Sequence, residues 1–304
     1  MNPAEPSHEL VARVLEWKER RQAVILSHNY QRPEIQDIAD FVGDSLDLSR
    51  KAAAADAPVI VFCGVHFMAE TAAILAPEKI VLMPDPTAGC PMADMASVPA
   101  IRRLKEEHPG APVVCYVNTS AEVKAECDVC CTSANAVSII QGLDSDEVIF
   151  LPDKSLAAWC ASQIDKRIIL YEGYCPTHHR ILAEDVLARK KEYPQAKVMV
   201  HPECTPDVIA LADKVLGTNG MCRWVKEADT ETIIVGTENG LIHRLKKENP
   251  RITYVAATHR SICPNMKKMT LEKLLWCLED MQTRITVPPD VAARARKAIE
   301  RMVA

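Results

Sequence analysis

Hydrophobic and polar positions follow two alternating patterns along the chain. Short apolar runs, the first at residues 23–26, have the length and composition of buried β-strands. Between them lie longer segments, such as residues 9–21, whose apolar residues recur at helical spacing. Short strands alternating with amphipathic helices are typical of βαβ units, so the pattern predicts parallel sheets covered by helices.

The strand and helix pattern occurs three times. The last strand of each repeat leads to a cysteine, and Cys90, Cys175 and Cys263 are 85 and 88 residues apart. If the repeats pack around a common axis, equivalent positions would bring three thiolates together. The predicted strands are residues 23–26, 59–62 and 79–83 in the first repeat, 113–115, 148–151 and 166–171 in the second, and 197–200, 232–235 and 251–255 in the third.

We therefore predict an α/β fold with three similar three-layer α/β/α domains, each with a short parallel sheet. The domains are expected to show pseudo-threefold symmetry around a central cavity. Their predicted boundaries are residues 1–88, 89–173 and 174–283. The pattern then restarts with a helix at 271–281, a strand at 285–287 and a basic amphipathic helix at 291–302. We expect the segment 284–304 to pack back on the first domain.

Composition narrows the class of protein. Of 304 residues, 48% are hydrophobic and 25% charged, as in ordinary globular domains. A formal charge of -5 argues against nucleic-acid and anionic-membrane partners. Residues 1–7 are polar and unlike a signal peptide, and no apolar stretch has bilayer-spanning length. A cytoplasmic location is expected, with the twelve cysteines as reduced thiols and some of them metal ligands.

The cysteines divide by their context. Cys90, Cys175 and Cys263 each precede a proline at a strand end, where a turn can present a thiolate. Three such sulfurs suit either a zinc site or an iron-sulfur cluster in which one iron lacks a protein ligand. The only C-x-x-C, Cys127 to Cys130, lies in a pattern that we interpret as helical and favours packing. Four others are predicted to be small buried hydrophobic residues, namely Cys63, Cys115, Cys160 and Cys277.

A second repeated set could carry proton chemistry and bind anions. Polar residues able to donate, accept and move protons follow the first strand of each repeat: His28, Tyr30, Tyr116, Asn118, His201 and Glu203. Farther along, Ser45, Ser133 and Thr218 precede helical patterns, and we predict that they are N-caps. Helix N-termini around one cavity would offer hydroxyls and N–H groups to carboxylate or phosphate. Asp40, Asp128 and Asp213 recur at the same two offsets.

Six segments together resemble the quinolinate synthase family, the A proteins of bacterial de novo NAD biosynthesis. The resemblance covers nearly the whole chain. It implies three similar α/β domains in a triangular array around a 4Fe-4S cluster that three cysteines hold. The segments are His28-Asn29-Tyr30-Gln31, Gly43-Asp44-Ser45-Leu46, Tyr116-Val117-Asn118-Thr119, Cys131-Thr132-Ser133-Ala134-Asn135-Ala136, His201-Pro202-Glu203-Cys204 and Cys263-Pro264-Asn265-Met266-Lys267.

The resemblance implies condensation of iminosuccinate (iminoaspartate) with dihydroxyacetone phosphate to quinolinate, phosphate and two waters. The open iron would act as a Lewis acid. Catalytic roles would fall to Tyr30, His201 and Glu203. An L-aspartate oxidase or aspartate dehydrogenase could supply the iminosuccinate. The implied cluster ligands are Cys90, Cys175 and Cys263, and the implied substrate-binding residues are His28, Ser45, Tyr116, Asn118, Ser133, His201, Glu203 and Thr218.

Two alternatives stay open from the residues alone. One is a zinc enzyme that uses the same three thiolates, with water at the fourth position. The other is a non-enzymatic iron-sulfur sensor or carrier, which would not need the proton-carrying residues. Some members of the family have a C-x-x-C pair ending at the last cluster cysteine, but Arg260 replaces its first cysteine here. A redox switch at that pair is therefore not expected.

Overall fold

A computed structural model gives the fold of residues 8–303. Residues 1–7, which carry the prediction about a signal peptide, and residue 304 lie outside the described residues. Within residues 8–303, no helix combines the length and the apolar character that a membrane span requires.

The described chain alternates short strands with helices. The strands are β1 (Ala23–His28), β2 (Phe41–Gly43), β3 (Val59–Cys63), β4 (Ile80–Leu82), β5 (Val113–Tyr116), β6 (Val129–Cys131), β7 (Glu147–Leu151), β8 (Arg167–Leu170), β9 (Lys197–Val200), β10 (Lys214–Val215), β11 (Thr232–Gly236) and β12 (Thr253–Ala256). The helices are α1 (His8–Arg20), α2 (Pro33–Ile38), α3 (Ser45–Ala54), α4 (His66–Leu75), α5 (Pro91–Met95), α6 (Val98–Glu107), α7 (Ala121–Lys124), α8 (Ala136–Gln141), α9 (Lys154–Ala161), α10 (Ala183–Glu192), α11 (Pro206–Ile209), α12 (Thr218–Glu227), α13 (Leu241–Glu248), α14 (Leu271–Asp280) and α15 (Pro289–Val303).

Three parallel four-stranded sheets have the same strand order. The orders are β2-β1-β3-β4, β6-β5-β7-β8 and β10-β9-β11-β12. In each sheet the first two long strands of the repeat lie at the centre, which explains their continuous apolar runs. The predicted α/β class with three sheet-and-helix units is confirmed. The symmetry of those units around a cavity stays a prediction.

Each sheet has one more strand than the pattern predicted. These edge strands, β2, β6 and β10, are only two or three residues long and carry too little apolar sequence to be recognised. The repeated aspartates mark them. Asp40, Asp128 and Asp213 each accept the backbone N–H of the neighbouring central strand at 2.8 Å. Each also returns its own N–H to the carbonyl of that same residue. The aspartates therefore extend the ladder by one pair and fix the register of the edge strand.

Removing one such aspartate should destabilise the fold modestly. Asp128→Ala takes the carboxylate acceptor away from the Val113 N–H. We expect a loss of about 1 kcal/mol in the free energy of unfolding, the usual net value of one hydrogen bond. Asp128→Asn keeps an acceptor oxygen and is the matched control. Urea denaturation would measure both variants, and equal stability of Asp128→Ala and wild type would show that the bond contributes nothing.

The described part of the chain divides into two compact units. The first comprises residues up to Cys90 together with Pro264–Pro288, and the second comprises Pro91–Cys263 together with the C-terminal helix. In the first unit Val59 and Val61 of β3 form one core cluster with Val14 of α1 and Leu274 of α14. Burial of each such side chain contributes about 1.5–3 kcal/mol, so packing rather than helix propensity holds α1 and α14 on the sheet.

The C-terminal segment corrects one prediction. Residues near Arg284 pair with β4 of the first sheet, without forming the predicted strand at 285–287. Helix α15, however, packs on β6 and α7 of the second repeat. Arg294 pairs with Glu126 at 3.0 Å, and Arg301 donates to the carbonyl of Asp128 at 2.9 Å. The expected packing of the whole segment 284–304 on the first domain is therefore wrong, because an amphipathic stripe shows that a helix is covered but not by what.

Candidate active site

Two of the predicted residues meet across two repeats of the second unit. Tyr116 is the last residue of β5, and Glu203 follows β9 by three residues. The Tyr116 hydroxyl donates to Oε1 of Glu203 at 2.5 Å, and both side chains are buried. Because the carboxyl ends of parallel strands collect polar loops, the two sheets bring their strand-end residues to one place. Tyr116 and Glu203, both selected from the repeat pattern, are thus in direct contact.

A histidine absent from the predictions completes the contact. His178 begins a short 3-10 helix, His178–Arg180, three residues after Cys175. Its Nδ1 lies 2.7 Å from Oε2 of Glu203 and 3.2 Å from Sγ of Cys175. Its Nε2 lies 2.9 Å from the Thr237 hydroxyl. His178 therefore links the predicted proton-carrying residues to a predicted metal ligand.

Glu203 rests as a carboxylate despite its burial. Burial opposes its ionisation, but the neighbouring imidazoles of His178 and His201, with hydrogen bonds from His178 and Tyr116, outweigh that cost. The pKa of Glu203 is consequently well below its usual value. Asp153 behaves in the opposite way: burial, followed by the charge of Glu203, raises its pKa well above the usual value. A pair of carboxyl groups with divergent pKa values is typical of acid–base sites.

His201 joins the same group from the other side. Its ring stacks on His178 with 4.6 Å between ring centroids. The Glu203 backbone N–H donates to Nδ1 of His201 at 3.3 Å, so a neutral ring carries its proton on Nε2. That nitrogen faces the Ser133 hydroxyl at 3.1 Å. A Cβ at Gly217 would lie 2.9 Å from this hydroxyl, so any larger residue there would force the Ser133 side chain to shift.

The three hydroxyl residues are not helix N-caps. Asp44 caps α3 by accepting the Asp47 N–H at 2.9 Å, which places Ser45 inside the helix. Asn135 is the N-cap residue of α8 and Gly217 that of α12, so Thr218 is also a first-turn residue. The capping prediction is therefore wrong. It follows that capping does not account for the Ser133 hydroxyl, which contacts His201 instead.

Asn118 has an unsatisfied acceptor. Its Oδ1 is buried and has no hydrogen-bond partner within residues 8–303. Buried polar atoms in native proteins are nearly always paired, so an orphaned oxygen two residues after β5 suits a ligand that donates a hydrogen bond. Thr218, by contrast, is buried in the first turn of α12 and has an interaction partner.

Two predicted metal ligands are placed in equivalent ways. The backbone N–H of Cys263 donates to Oε1 of Glu238 at 3.1 Å, and the backbone N–H of Cys175 interacts with the Asp153 carboxyl. Asp153 and Glu238 both follow the second long strand of their repeats and are 85 residues apart. Tyr116 and His201 are separated by the same 85 residues, so a search of the sequence at this offset would have found both carboxyl groups.

The donor chemistry of the three predicted cysteines fits a thiolate-bound metal centre. All twelve cysteines lie within residues 8–303 and are free thiols. Cys90, Cys175 and Cys263 are only partly buried, whereas most others are fully buried. Burial raises the pKa of Cys160 and of Cys277 to about 12, which suits their predicted packing role. Cys130 and Cys131 lie in strand β6, so the helical interpretation of the C-x-x-C segment is wrong.

The first unit holds the remaining predicted residues. His28 ends β1, and its Nδ1 accepts the Tyr30 N–H at 3.1 Å. The rings of His28 and Tyr30 meet edge to face at 4.6 Å. Ser45 lies at the start of α3, and Cys90 follows β4 in a half-buried loop. This unit repeats the strand-end histidine seen at His201, whose Nδ1 also accepts an N–H two residues on.

The fold and the site together define a triplicated α/β protein with a cysteine, histidine and carboxylate centre at its strand ends. Comparison with known proteins specifies the family. Residues 12–304 match the family described as quinolinate synthetase A protein. The chain is 58% identical over 296 residues to quinolinate synthase 1 of Methanosarcina acetivorans, which covers 97% of each chain.

Other relatives give the same result. Quinolinate synthase of Dehalococcoides mccartyi strain CBDB1 is 57% identical, covering 97% of this chain and 98% of the relative. Quinolinate synthase of Thermodesulfovibrio yellowstonii is 53% identical over 294 residues, covering 96% and 97%. The chain belongs to the quinolinate synthetase A protein family, as the sequence motifs suggested.

Proposed function

We propose that the chain is a quinolinate synthase that condenses iminosuccinate with dihydroxyacetone phosphate, releasing quinolinate, phosphate and two waters. The single observation that carries the proposal is the contact of Tyr116, Glu203 and His178 beside Cys175. A carrier of electrons or a sensor would not need buried proton donors and acceptors next to a metal ligand. Membership of the family and the names of the relatives support the same activity.

The proposed cofactor is a 4Fe-4S cluster held by Cys90, Cys175 and Cys263. Partly buried free thiols, two of them with their N–H groups oriented by a carboxyl group, are a suitable donor set. When bound, a cluster with one iron lacking a protein ligand would supply Lewis acidity for dehydration. All other steps are assigned to side chains of the chain.

The side chains would bind the substrates and move protons. His28, Ser45, Ser133 and Thr218 would hold carboxylate and phosphate groups, and the orphaned Oδ1 of Asn118 would accept a hydrogen bond from a substrate. Glu203 would take part in proton transfer, with Tyr116 and His178 holding its two oxygens. His201 would relay protons through Nε2 and Ser133, and Tyr30 is a further candidate.

Incubation of the anaerobically purified protein with the two substrates tests the proposal. We expect quinolinate, identified by chromatography and mass spectrometry, in step with released phosphate. The protein should be brown, with about four iron and four sulfide per chain. Colourless protein with one zinc per chain would favour the zinc enzyme, and brown protein without product would favour a sensor. The biosynthetic role would place the chain in the cytoplasm, with iminosuccinate supplied by an L-aspartate oxidase or aspartate dehydrogenase.

A further inference from the structure

We infer that the chain, when it lacks an iron-sulfur cluster, has a site for one zinc-like divalent metal ion made of Cys175, His178 and Glu203. Thiolate, imidazole and carboxylate are the three ligand types that Zn²⁺ takes in proteins. One donor atom from each residue lies within 4.8 Å of the other two. This ligand set differs from the three cysteines proposed for the cluster, with which it shares Cys175 alone.

The distances between the donor atoms suit a single ion. Tetrahedral zinc with ordinary bond lengths separates its nitrogen, oxygen and sulfur ligands by about 3.3–3.6 Å. Nδ1 of His178 lies 2.7 Å from Oε2 of Glu203 and 3.2 Å from Sγ of Cys175. A metal ion bound to all three donor atoms would require these two pairs of atoms to separate by about 1 Å or less.

Both buried ligands already have the outer hydrogen bonds that metal ligands need. A histidine that binds metal through one nitrogen usually donates its other N–H to an oxygen, which fixes the ring. Nε2 of His178 faces the Thr237 hydroxyl at 2.9 Å, and Thr237 is fully buried. The carboxylate is oriented as well, since Oε1 of Glu203 accepts the Tyr116 hydroxyl at 2.5 Å and leaves Oε2 for the ion.

Burial leaves one side of this site accessible. His178 is 1% exposed and Glu203 is 3% exposed, so their positions are restricted, whereas Cys175 is only partly buried. An ion could therefore enter beside the thiol, and water could occupy its fourth position. Zinc binds cysteine as a thiolate and histidine through an unprotonated nitrogen, so protons on the two donor atoms would leave to solvent.

One consequence rests on the proposed function. If Cys175 is a cluster ligand, zinc bound by Cys175, His178 and Glu203 denies that thiolate to iron. A chain loaded with zinc should then take up iron and sulfide only after the zinc is removed with a chelator. Zinc binding itself does not depend on whether the protein makes quinolinate.

Titration of the full-length chain, purified without its cluster, tests the site directly. We expect one equivalent of Zn²⁺ to bind, and Co²⁺ to give the absorption of a tetrahedral complex with a thiolate ligand. Cys175→Ala, His178→Ala and Glu203→Gln should each raise the zinc dissociation constant by roughly 100-fold or more, because each variant loses a direct ligand. Losing only a hydrogen bond that supports a ligand usually costs about 10–100-fold. Thr237→Val, which removes only that support from His178, should raise it roughly 10-fold.

His179→Ala is the matched control. His179 neighbours His178, but its ring stacks on Tyr174 and its Nε2 contacts the Ser155 hydroxyl at 2.9 Å, so its loss should leave zinc affinity unchanged. Cys90→Ala and Cys263→Ala should also keep the site. Far-ultraviolet circular dichroism would verify that each variant is folded. The inference is wrong if folded His178→Ala binds zinc as wild type does, or if binding requires Cys90 and Cys263.

Discussion

Cys175→Ala purified anaerobically is expected to lose the iron-sulfur chromophore and to form quinolinate at least about 100-fold more slowly than wild type, which corresponds to about 2.7 kcal/mol of transition-state stabilisation. The thiol follows β8 and lies 3.2 Å from Nδ1 of His178. Its removal takes away one of three proposed cluster ligands and one neighbour of the proton-carrying residues. Alanine offers no replacement ligand, so the loss should be larger than for any residue that only binds substrate.

Cys160→Ala is the control for this experiment. Cys160 is fully buried in α9 of the same repeat, where burial and the charge of Asp153 raise its pKa to about 12. Such a thiol packs as a small hydrophobic side chain, so its variant should keep colour and turnover. Iron and sulfide analysis with a quinolinate assay would measure both variants. Wild-type iron content and turnover in Cys175→Ala would refute the ligand assignment.

Glu203→Gln should lower kcat by roughly 10²–10⁴-fold, the usual contribution of a positioned acid–base group, while the cluster content stays unchanged. The amide has the shape of the carboxylate but cannot accept a proton. In the wild type, Tyr116 and His178 hold both carboxylate oxygens in place through hydrogen bonds. Loss of catalysis without loss of iron would separate a proton-transfer role from a role in holding the cluster.

Glu192→Gln is the matched surface control. Glu192 makes an exposed ion pair with Arg189 at 2.6 Å, which contributes little to stability, so this variant should behave as wild type. Steady-state kinetics with iron analysis would compare the three proteins. Full turnover by Glu203→Gln would remove this residue from the acid–base list and would leave His201 and Tyr30 as the candidates.

The sequence predicted the parts of the site that the repeat carries. Tyr116, Ser133, His201 and Glu203 stand at matched offsets after strands, and the second unit brings all four into contact through three hydrogen bonds. Parallel strands end at one edge of a sheet, so sequence position translates directly into place.

His178 was missed because the equivalent positions of the other two repeats hold no histidine. Met266 and Ala93 occupy the equivalent places at the two offsets, so periodicity gave no signal for a histidine there. Its contact with Glu203 depends on a short 3-10 helix that orients the ring. The sequence pattern does not predict the orientation of so short a helix. The N-cap prediction failed for a smaller reason: each predicted cap was displaced by one or two residues, within the usual uncertainty of helix ends.

The short edge strands also limit how strands of other molecules can pair with the sheets. Strands β2, β6 and β10 end the sheets with two or three residues each, and an aspartate directly precedes every one of them. Helix α15 covers β6, and at the edges formed by β2 and β10 so short a row of N–H and C=O groups beside an aspartate gives a foreign strand few hydrogen bonds. The aspartates that set the register would thus also protect concentrated protein from aggregation through these edges.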